Sequence, residues 1–161
     1  MSTHFPTIPA DRIQLNEVVL KPMTAMYRLE QSIDLDTRLA NLIRVRASQM
    51  NGCAVCIDMH WKDARAAGES EERLYSLDAW HESPLYGERE RAALRLTEAI
   101  TRVAETHVPD DVWEDARASL SESELANVVF QITAINTWNR LMITFRVEPG
   151  HYQAGMLEAV A

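Results

Sequence analysis

Apolar residues recur at intervals of three and four along this chain, and that spacing constrains its fold more than any other feature. The first such stretch comprises Leu35, Leu39, Leu42, Ile43, Ala47 and Met50. Residues with this spacing share one face of an α-helix. Similar stripes follow Glu88 and Ser121. No segment of useful length alternates apolar and polar residues as a half-buried strand would. The pattern predicts an all-α fold.

Turn and capping residues divide the chain into successive helices. The predicted segments are a helix from Asp34 to Met50, a helix from about Cys53 to Ala67, a short helix after Gly68, a loop from His81 to Gly87, a helix from Glu88, a helix with Pro109 in its first turn, and a helix opened by Ser121. Ser121 and Glu124 have the Ser-x-x-Glu spacing of a capping box. We expect a single domain over residues 1–161.

Composition narrows the class of protein further. A chain of 161 residues can bury a core of its own. Its formal net charge of −8 disfavours binding to nucleic acid or to an anionic membrane, because both attract clustered positive charge. The sequence has no apolar run of about 18 residues and no signal-peptide pattern at its start. We therefore expect a cytoplasmic protein without a membrane span.

The two cysteines of the chain, Cys53 and Cys56, stand three positions apart, and His60 follows one helical turn later. Residues three and four apart share a helix face, so these three side chains are expected to lie together. The first turn of a helix, a nearby histidine and a Cys-x-x-Cys spacing each favour the thiolate form of a cysteine. A thiolate is the reactive nucleophile, and His60 can accept or donate the proton.

Three interpretations of this cluster remain open from the residues alone. A dithiol redox site would attack a peroxide or a disulfide with one thiolate and close a Cys53–Cys56 disulfide with the other thiol. A structural zinc site would need a fourth ligand such as His81 or Asp58, and no spacing nominates either. The third interpretation is two buried cysteines beside a histidine in the core.

Four stretches of the sequence resemble the alkylhydroperoxidase D-like branch of the carboxymuconolactone decarboxylase family. They are Arg44 to His60, Lys62 to Arg65 with Gly68, Glu88 to Ala93, and Ala134 to Arg140. The likeness covers roughly residues 17 to 152 and is therefore a resemblance of the whole domain. It implies an all-α fold, assembly into homotrimers or homohexamers, and thiol-dependent reduction of organic hydroperoxides.

The resemblance also implies a role for each residue of the motif. Cys56 corresponds to the peroxidatic cysteine, Cys53 to the resolving cysteine and His60 to the proton-relay histidine. The family relay usually includes a glutamate twelve positions before the first cysteine, where this chain has Asn41. A carboxamide cannot accept and pass on a proton at neutral pH. Either another carboxylate replaces it, with Glu30 and Asp58 as candidates, or the relay is shortened to His60 and water.

The sequence thus predicts a peroxidase that uses no bound cofactor and takes electrons from an external dithiol or a partner protein. It has no Gly-x-Gly-x-x-Gly fingerprint for a flavin or nicotinamide nucleotide. Two other functions remain possible at this stage. One is an acid–base enzyme of the decarboxylase type, and the other is a non-enzymatic, redox-sensing oligomer. We also expect Asn139 and Arg140 to fix packing near the active-site helix or across a subunit interface.

Overall fold

The computed structural model describes residues 12–13 and 15–156, and this part of the chain is helical and contains no β-strand. Its helices are α1 (Leu15–Val18), α2 (Leu20–Gln31), α3 (Thr37–Asn51), α4 (Ala54–Ala66), α5 (Glu71–Tyr75), a 3₁₀-helix (Leu77–Glu82), α6 (Glu88–Thr101), α7 (Val103–Thr106), α8 (Asp110–Ser119) and α9 (Glu122–Phe145). The all-α prediction is confirmed. Within the same residues, no helix combines the length and the apolar character needed to cross a bilayer.

Helix α3 forms the centre of the domain and packs against α4, α6 and α9. Nine of its 15 residues are buried, because the helix is covered on several sides. One apolar cluster joins it to α6, α8 and α9 and includes Leu39, Ile43, Leu96, Val128 and Ile132. A second cluster joins it to α4, α5, the 3₁₀-helix and α6 and includes Leu42, Val45, Leu74, Leu77 and Leu94. Helix α4 is therefore packed against the core through α3.

The predicted helix boundaries lie close to the observed ones. Helix α3 begins three residues later than predicted, because the side chain of Asp36 accepts a hydrogen bond from the Leu39 N–H and caps the helix. Gly52 ends α3 in the left-handed conformation, with a φ of 68°. The helices predicted after Gly68 and from Glu88 are both present.

Three local predictions need correction. His81 and Glu82 belong to the 3₁₀-helix, so the loop is shorter than the predicted span of His81 to Gly87. Pro109 is the N-cap of α8 and precedes its first turn. The capping box at Ser121 is one-sided: the Ser121 hydroxyl accepts from the Glu124 N–H at 3.2 Å, whereas the Glu124 carboxylate binds Arg89.

The apolar spacing predicts no helix before Asp34, whereas the chain forms α1 and α2 there. None of the residues of α2 is fully buried. The helix packs on α9 through Tyr27 and Trp138, whose ring centroids are 4.9 Å apart. The Trp138 indole N–H also donates to the Glu30 carboxylate at 3.1 Å. These contacts bring Tyr27 and Glu30 toward the active-site helix.

Candidate active site

The turn between α3 and α4 determines where the two cysteines lie. Gly52 reverses the chain, and the Cys53 N–H then donates to the Ser48 carbonyl at 3.0 Å. Cys53 is the N-cap residue of α4, and Cys56 lies in the first turn of that helix. The free N–H groups and the dipole of a helix start favour an anion at this place. The predicted position of the pair at a helix N-terminus is confirmed.

A disulfide joins Cys53 and Cys56, with a Cα–Cα distance of 5.3 Å. Both residues are buried, with exposed fractions of 1% and 2%, and Met59 and Met142 pack against them. The described residues include no group of three or more His, Cys, Asp and Glu side chains that could hold a metal ion. His81 lies elsewhere, stacked on Trp80. The two cysteines are therefore bonded to each other, and no zinc ligand set surrounds them in this part of the chain.

A network of amides anchors the turn that carries Cys53. The Asn51 amide donates to the Asn136 and Asn139 side-chain oxygens at 3.0 and 2.9 Å, and the Asn139 amide donates to the Ser48 hydroxyl at 3.0 Å. Asn139 is fully buried, so its bond to Ser48 is made away from water and is costly to break. Asn139 thus packs at the start of the active-site helix, as predicted.

His60 lies one turn after Cys56 and is buried, with 7% of its surface exposed. Its Nδ1 atom is inaccessible to solvent and makes no hydrogen bond to any described residue. Burial, together with the nearby charge of Arg44, lowers the pKa of His60 from 6.5 to about 3. The imidazole is therefore neutral at physiological pH, with one nitrogen free to accept a proton.

A pocket of about 480 Å³ opens beside His60. Its lining comes from four parts of the chain: Tyr27, Glu30 and Gln31; Thr37, Asn41 and Arg44; His60, Asp63, Ala66 and Ala67; and Tyr152, Ala154 and Gly155. Neither cysteine lines this pocket while the disulfide is closed. His60, which follows Cys56 by one turn of α4, lines the pocket.

Arg44 organises the wall of the pocket where the family relay glutamate would lie. Its guanidinium donates to the Asn41 and Gln131 side-chain oxygens at 3.2 and 3.1 Å, and its Nε lies 3.3 Å from the Glu30 carboxylate. Asn41 is 3% exposed and is not a surface residue. Glu30, one of the two predicted substitutes for the relay carboxylate, lines the pocket together with Asn41 and His60.

Asp58, the other predicted substitute, does not line the pocket. Its carboxylate binds the Lys62 ammonium at 2.8 Å and accepts from the Gly150 N–H at 3.0 Å. The hydrogen bond from Lys62 is the main cause of its lowered pKa. Asp58 thus holds residues 150–156, which we name the C-terminal strap, against α4. Lys62 adds a second bond, to the Tyr152 carbonyl at 3.0 Å.

Sequence reasoning misses three polar residues of the site, namely Arg44, Asp63 and Tyr152. Arg44 and Asp63 belong to stretches that carry the family resemblance, but no spacing rule assigned either a role. The position of Asp63 three residues after His60 is a usable signal, because residues three apart are neighbours on a helix. Tyr152 follows the Pro149-Gly150 break, and no local pattern places it beside α4.

The neutral state of His60 makes the stability of the oxidised protein depend on pH. Between about pH 6.5 and pH 3, the unfolded chain binds a proton at His60 that the folded chain does not, so stability is lost as the pH falls through this range. We expect the parent to lose roughly 2 kcal/mol more unfolding free energy between pH 7 and pH 5 than His60→Gln does. Urea unfolding at both pH values measures the difference. His151→Gln is the control because His151 is exposed, and equal losses in parent and His60→Gln would contradict the prediction.

The fold and the site define an all-α protein with a disulfide pair at the start of a helix that buries one face. A family model for the carboxymuconolactone decarboxylase family matches residues 21–99. The chain is 42% identical over 139 residues to the uncharacterized protein YdfG of Bacillus subtilis, a match that covers 83% of this chain and 93% of that protein. The chain belongs to the carboxymuconolactone decarboxylase family.

Two solved structures show the same fold. One is a protein of unknown function from Agrobacterium tumefaciens, named as a candidate antioxidant defence protein AhpD. It is 42% identical, has a TM-score of 0.84 and matches 88% of this chain and 99% of its own. The other is an alkylhydroperoxidase AhpD core, an uncharacterized peroxidase-related protein from Ralstonia eutropha. It is 15% identical, has a TM-score of 0.74 and matches 85% of this chain and 74% of its own. At that identity it shows the fold alone.

Proposed function

We propose that this protein is a thiol peroxidase that reduces organic hydroperoxides through the Cys53–Cys56 pair. The observation that carries the proposal is the disulfide at the start of α4, with the neutral, buried His60 one turn beyond it. The pocket beside His60 offers space for a small organic molecule. The 42% identical solved structure, named as a candidate antioxidant defence protein AhpD, supports the same class of chemistry.

In the proposed cycle, the Cys56 thiolate attacks the distal oxygen of the hydroperoxide and the O–O bond breaks. Cys56 becomes a sulfenic acid, and the alkoxide takes up a proton and leaves as an alcohol. The Cys53 thiol then attacks the Cys56 sulfur, so that the disulfide forms and water leaves. Two electrons have passed from the dithiol to the peroxide. An external dithiol reopens the disulfide and supplies two electrons and two protons.

His60 is proposed to move the proton in the peroxide-reducing step. In the reduced protein it accepts the proton of the Cys56 thiol and can return it to the departing alkoxide. The low pKa of His60 belongs to the oxidised state, in which no thiolate is present. A thiolate on Cys56 adds a negative charge beside the imidazole and favours its protonated form. Reduction of the disulfide thus makes His60 a better base when a base is needed.

The proposal includes a homo-oligomeric assembly, either a trimer or a hexamer, that operates in a reducing compartment such as the cytoplasm. Exposed apolar side chains of α1, α2 and α9 support an assembly, since large apolar surfaces favour contacts between subunits. They include Val18, Leu20, Leu29, Phe130 and Ile143. A reducing compartment supports the cycle because an external dithiol must reopen the disulfide in every turnover.

A titration of the reduced protein with cumene hydroperoxide tests the proposal. We expect one equivalent of hydroperoxide to convert both thiols of each chain into the disulfide and to yield one equivalent of the alcohol. In Cys53→Ser, the same equivalent should leave a sulfenic acid on Cys56 that dimedone traps, because no second thiol is present. Mass spectrometry of the protein and chromatography of the alcohol measure both outcomes. Thiols that survive several equivalents of hydroperoxide would overturn the proposal.

A further inference from the structure

The Nδ1 atom of His60 is buried and without a hydrogen-bond partner among the described residues. A buried polar atom in this state is unfavourable unless a partner comes within reach at some stage of function. Oδ2 of Asp63 lies 4.0 Å from it. Asp63 follows His60 by three positions on α4, so the helix itself holds the two side chains on one face.

The other oxygen of Asp63 is already fixed. Oδ1 accepts a hydrogen bond from the Tyr152 hydroxyl at 2.8 Å and from the Gly155 N–H at 3.4 Å. Both donors belong to the C-terminal strap, so the strap orients the carboxylate from outside the helix. Oδ2 makes no hydrogen bond to another described residue and faces His60. A movement of about 1 Å brings it to hydrogen-bond distance of Nδ1.

We propose that Asp63 is a positioning residue that accepts the Nδ1–H of His60 and so supplies the carboxylate that Asn41 cannot provide. This inference rests on the proposed function and deepens it. With its proton on Nδ1, the imidazole carries its lone pair on Nε2, which is the nitrogen left to accept the Cys56 proton. The negative charge of Asp63 stabilises the imidazolium that this transfer creates.

The groups around His60 leave Asp63 as the carboxylate suited to this role. Arg44 approaches from α3 and opposes a positive charge on His60. Glu30 approaches from α2, but its two oxygens bind Arg44 and Trp138. Tyr152 of the strap binds Asp63. Asp63 thus lies beside the imidazole with one oxygen, Oδ2, that makes no hydrogen bond to the residues the structure describes.

The test compares Asp63→Ala and Asp63→Glu with the matched control Asp58→Ala. Asp58 also holds the strap but does not line the pocket, so its removal disturbs the strap without removing the carboxylate beside His60. Nitrogen-15 NMR of the reduced proteins reports the tautomer of His60. We expect the Nδ1–H form in the parent, in Asp63→Glu and in Asp58→Ala, and a shift toward the Nε2–H form in Asp63→Ala.

A second readout uses the reactivity of Cys56 in a Cys53→Ser background, where one thiol remains. The rate of alkylation by iodoacetamide as a function of pH gives the pKa of the Cys56 thiol. We expect Asp63→Ala to raise the midpoint of this pH dependence, so that alkylation at pH 7 slows about tenfold or more. Asp58→Ala should leave the midpoint unchanged. An unchanged tautomer and midpoint in folded Asp63→Ala would overturn the inference.

Neither readout uses a hydroperoxide, so this inference and the proposed function can fail separately. If the thiols of the parent reduce cumene hydroperoxide but Asp63→Ala behaves as the parent does, the peroxidase assignment stands and the role of Asp63 is wrong. If the tautomer and the midpoint move as expected but no hydroperoxide is consumed, Asp63 orients His60 for a different thiol reaction. Circular dichroism of each variant confirms that it is folded.

Discussion

Replacing Cys56 by serine is expected to abolish hydroperoxide reduction, with turnover lowered on the order of 10³-fold or more. A serine hydroxyl remains protonated at neutral pH and is a much weaker nucleophile than a thiolate. The substitution is close to isosteric and lies in the first turn of α4, so the fold should be retained. Any remaining activity would measure what Cys53 can do alone at the N-cap.

The measurement is the consumption of tert-butyl hydroperoxide in the presence of dithiothreitol. Cys53→Ser is the informative companion variant, because it should still react once with the hydroperoxide although it cannot form the internal disulfide. In pre-reduced protein freed of dithiothreitol, which would otherwise reduce the sulfenic acid, we expect a single fast turnover from Cys53→Ser and none from Cys56→Ser. If Cys56→Ser consumes hydroperoxide as fast as the parent, Cys56 is not the attacking thiol. If the two variants exchange their behaviour, the roles of Cys53 and Cys56 are reversed.

Replacing His60 by alanine is expected to slow hydroperoxide reduction by about 10²–10⁴-fold, the usual contribution of a positioned acid–base group. The buried neutral imidazole has no equivalent among the residues that line the pocket. Without it, the Cys56 thiol must lose its proton to water, and the departing alkoxide must find a proton in solution. The loss should be smaller at high pH, where the thiol ionises unaided.

The pH profile separates a chemical role of His60 from a structural one. We expect the rate of His60→Ala to rise with pH and to approach the parent above the pKa of the free thiol, about 8.5. His151→Ala is the control, since His151 lies in the exposed part of the strap and should leave the profile unchanged. A uniform loss at every pH would indicate that the alanine variant is misfolded or that His60 only packs against the cysteines.

The helices that carry the cysteine pair could be predicted because their sequence signals are local. Leu39, Leu42 and Ile43 mark the buried face of α3 by their spacing, and Gly52 marks its end by the backbone conformation that it permits. The position of Cys53 and Cys56 at the start of the next helix follows from these signals. The spacing of four positions between Cys56 and His60 likewise predicts that these two side chains share one face of that helix.

The pocket could not be predicted, because its walls come from segments that are distant in sequence. Glu30 reaches the site through its bonds to Arg44 and to Trp138, which lies 108 positions further along the chain. Asp63 is oriented by Tyr152, 89 positions away. Contacts of this kind depend on how whole helices pack, and no periodicity within a short window reports them. For the same reason, no spacing could rank Glu30 above Asp58.

The separation of only three positions between the two bonded cysteines has a thermodynamic consequence. A crosslink stabilises a fold mainly by restricting the unfolded chain, and a ring this small restricts that chain little. The expected stabilisation is about 2 kcal/mol, compared with nearly 5 kcal/mol for a crosslink that closes a loop of about 100 residues. Reduction of the disulfide therefore removes little of the free energy of unfolding, most of which comes from the helical core around α3. Both oxidation states can share one architecture, which allows a protein to pass through a redox cycle many times without unfolding.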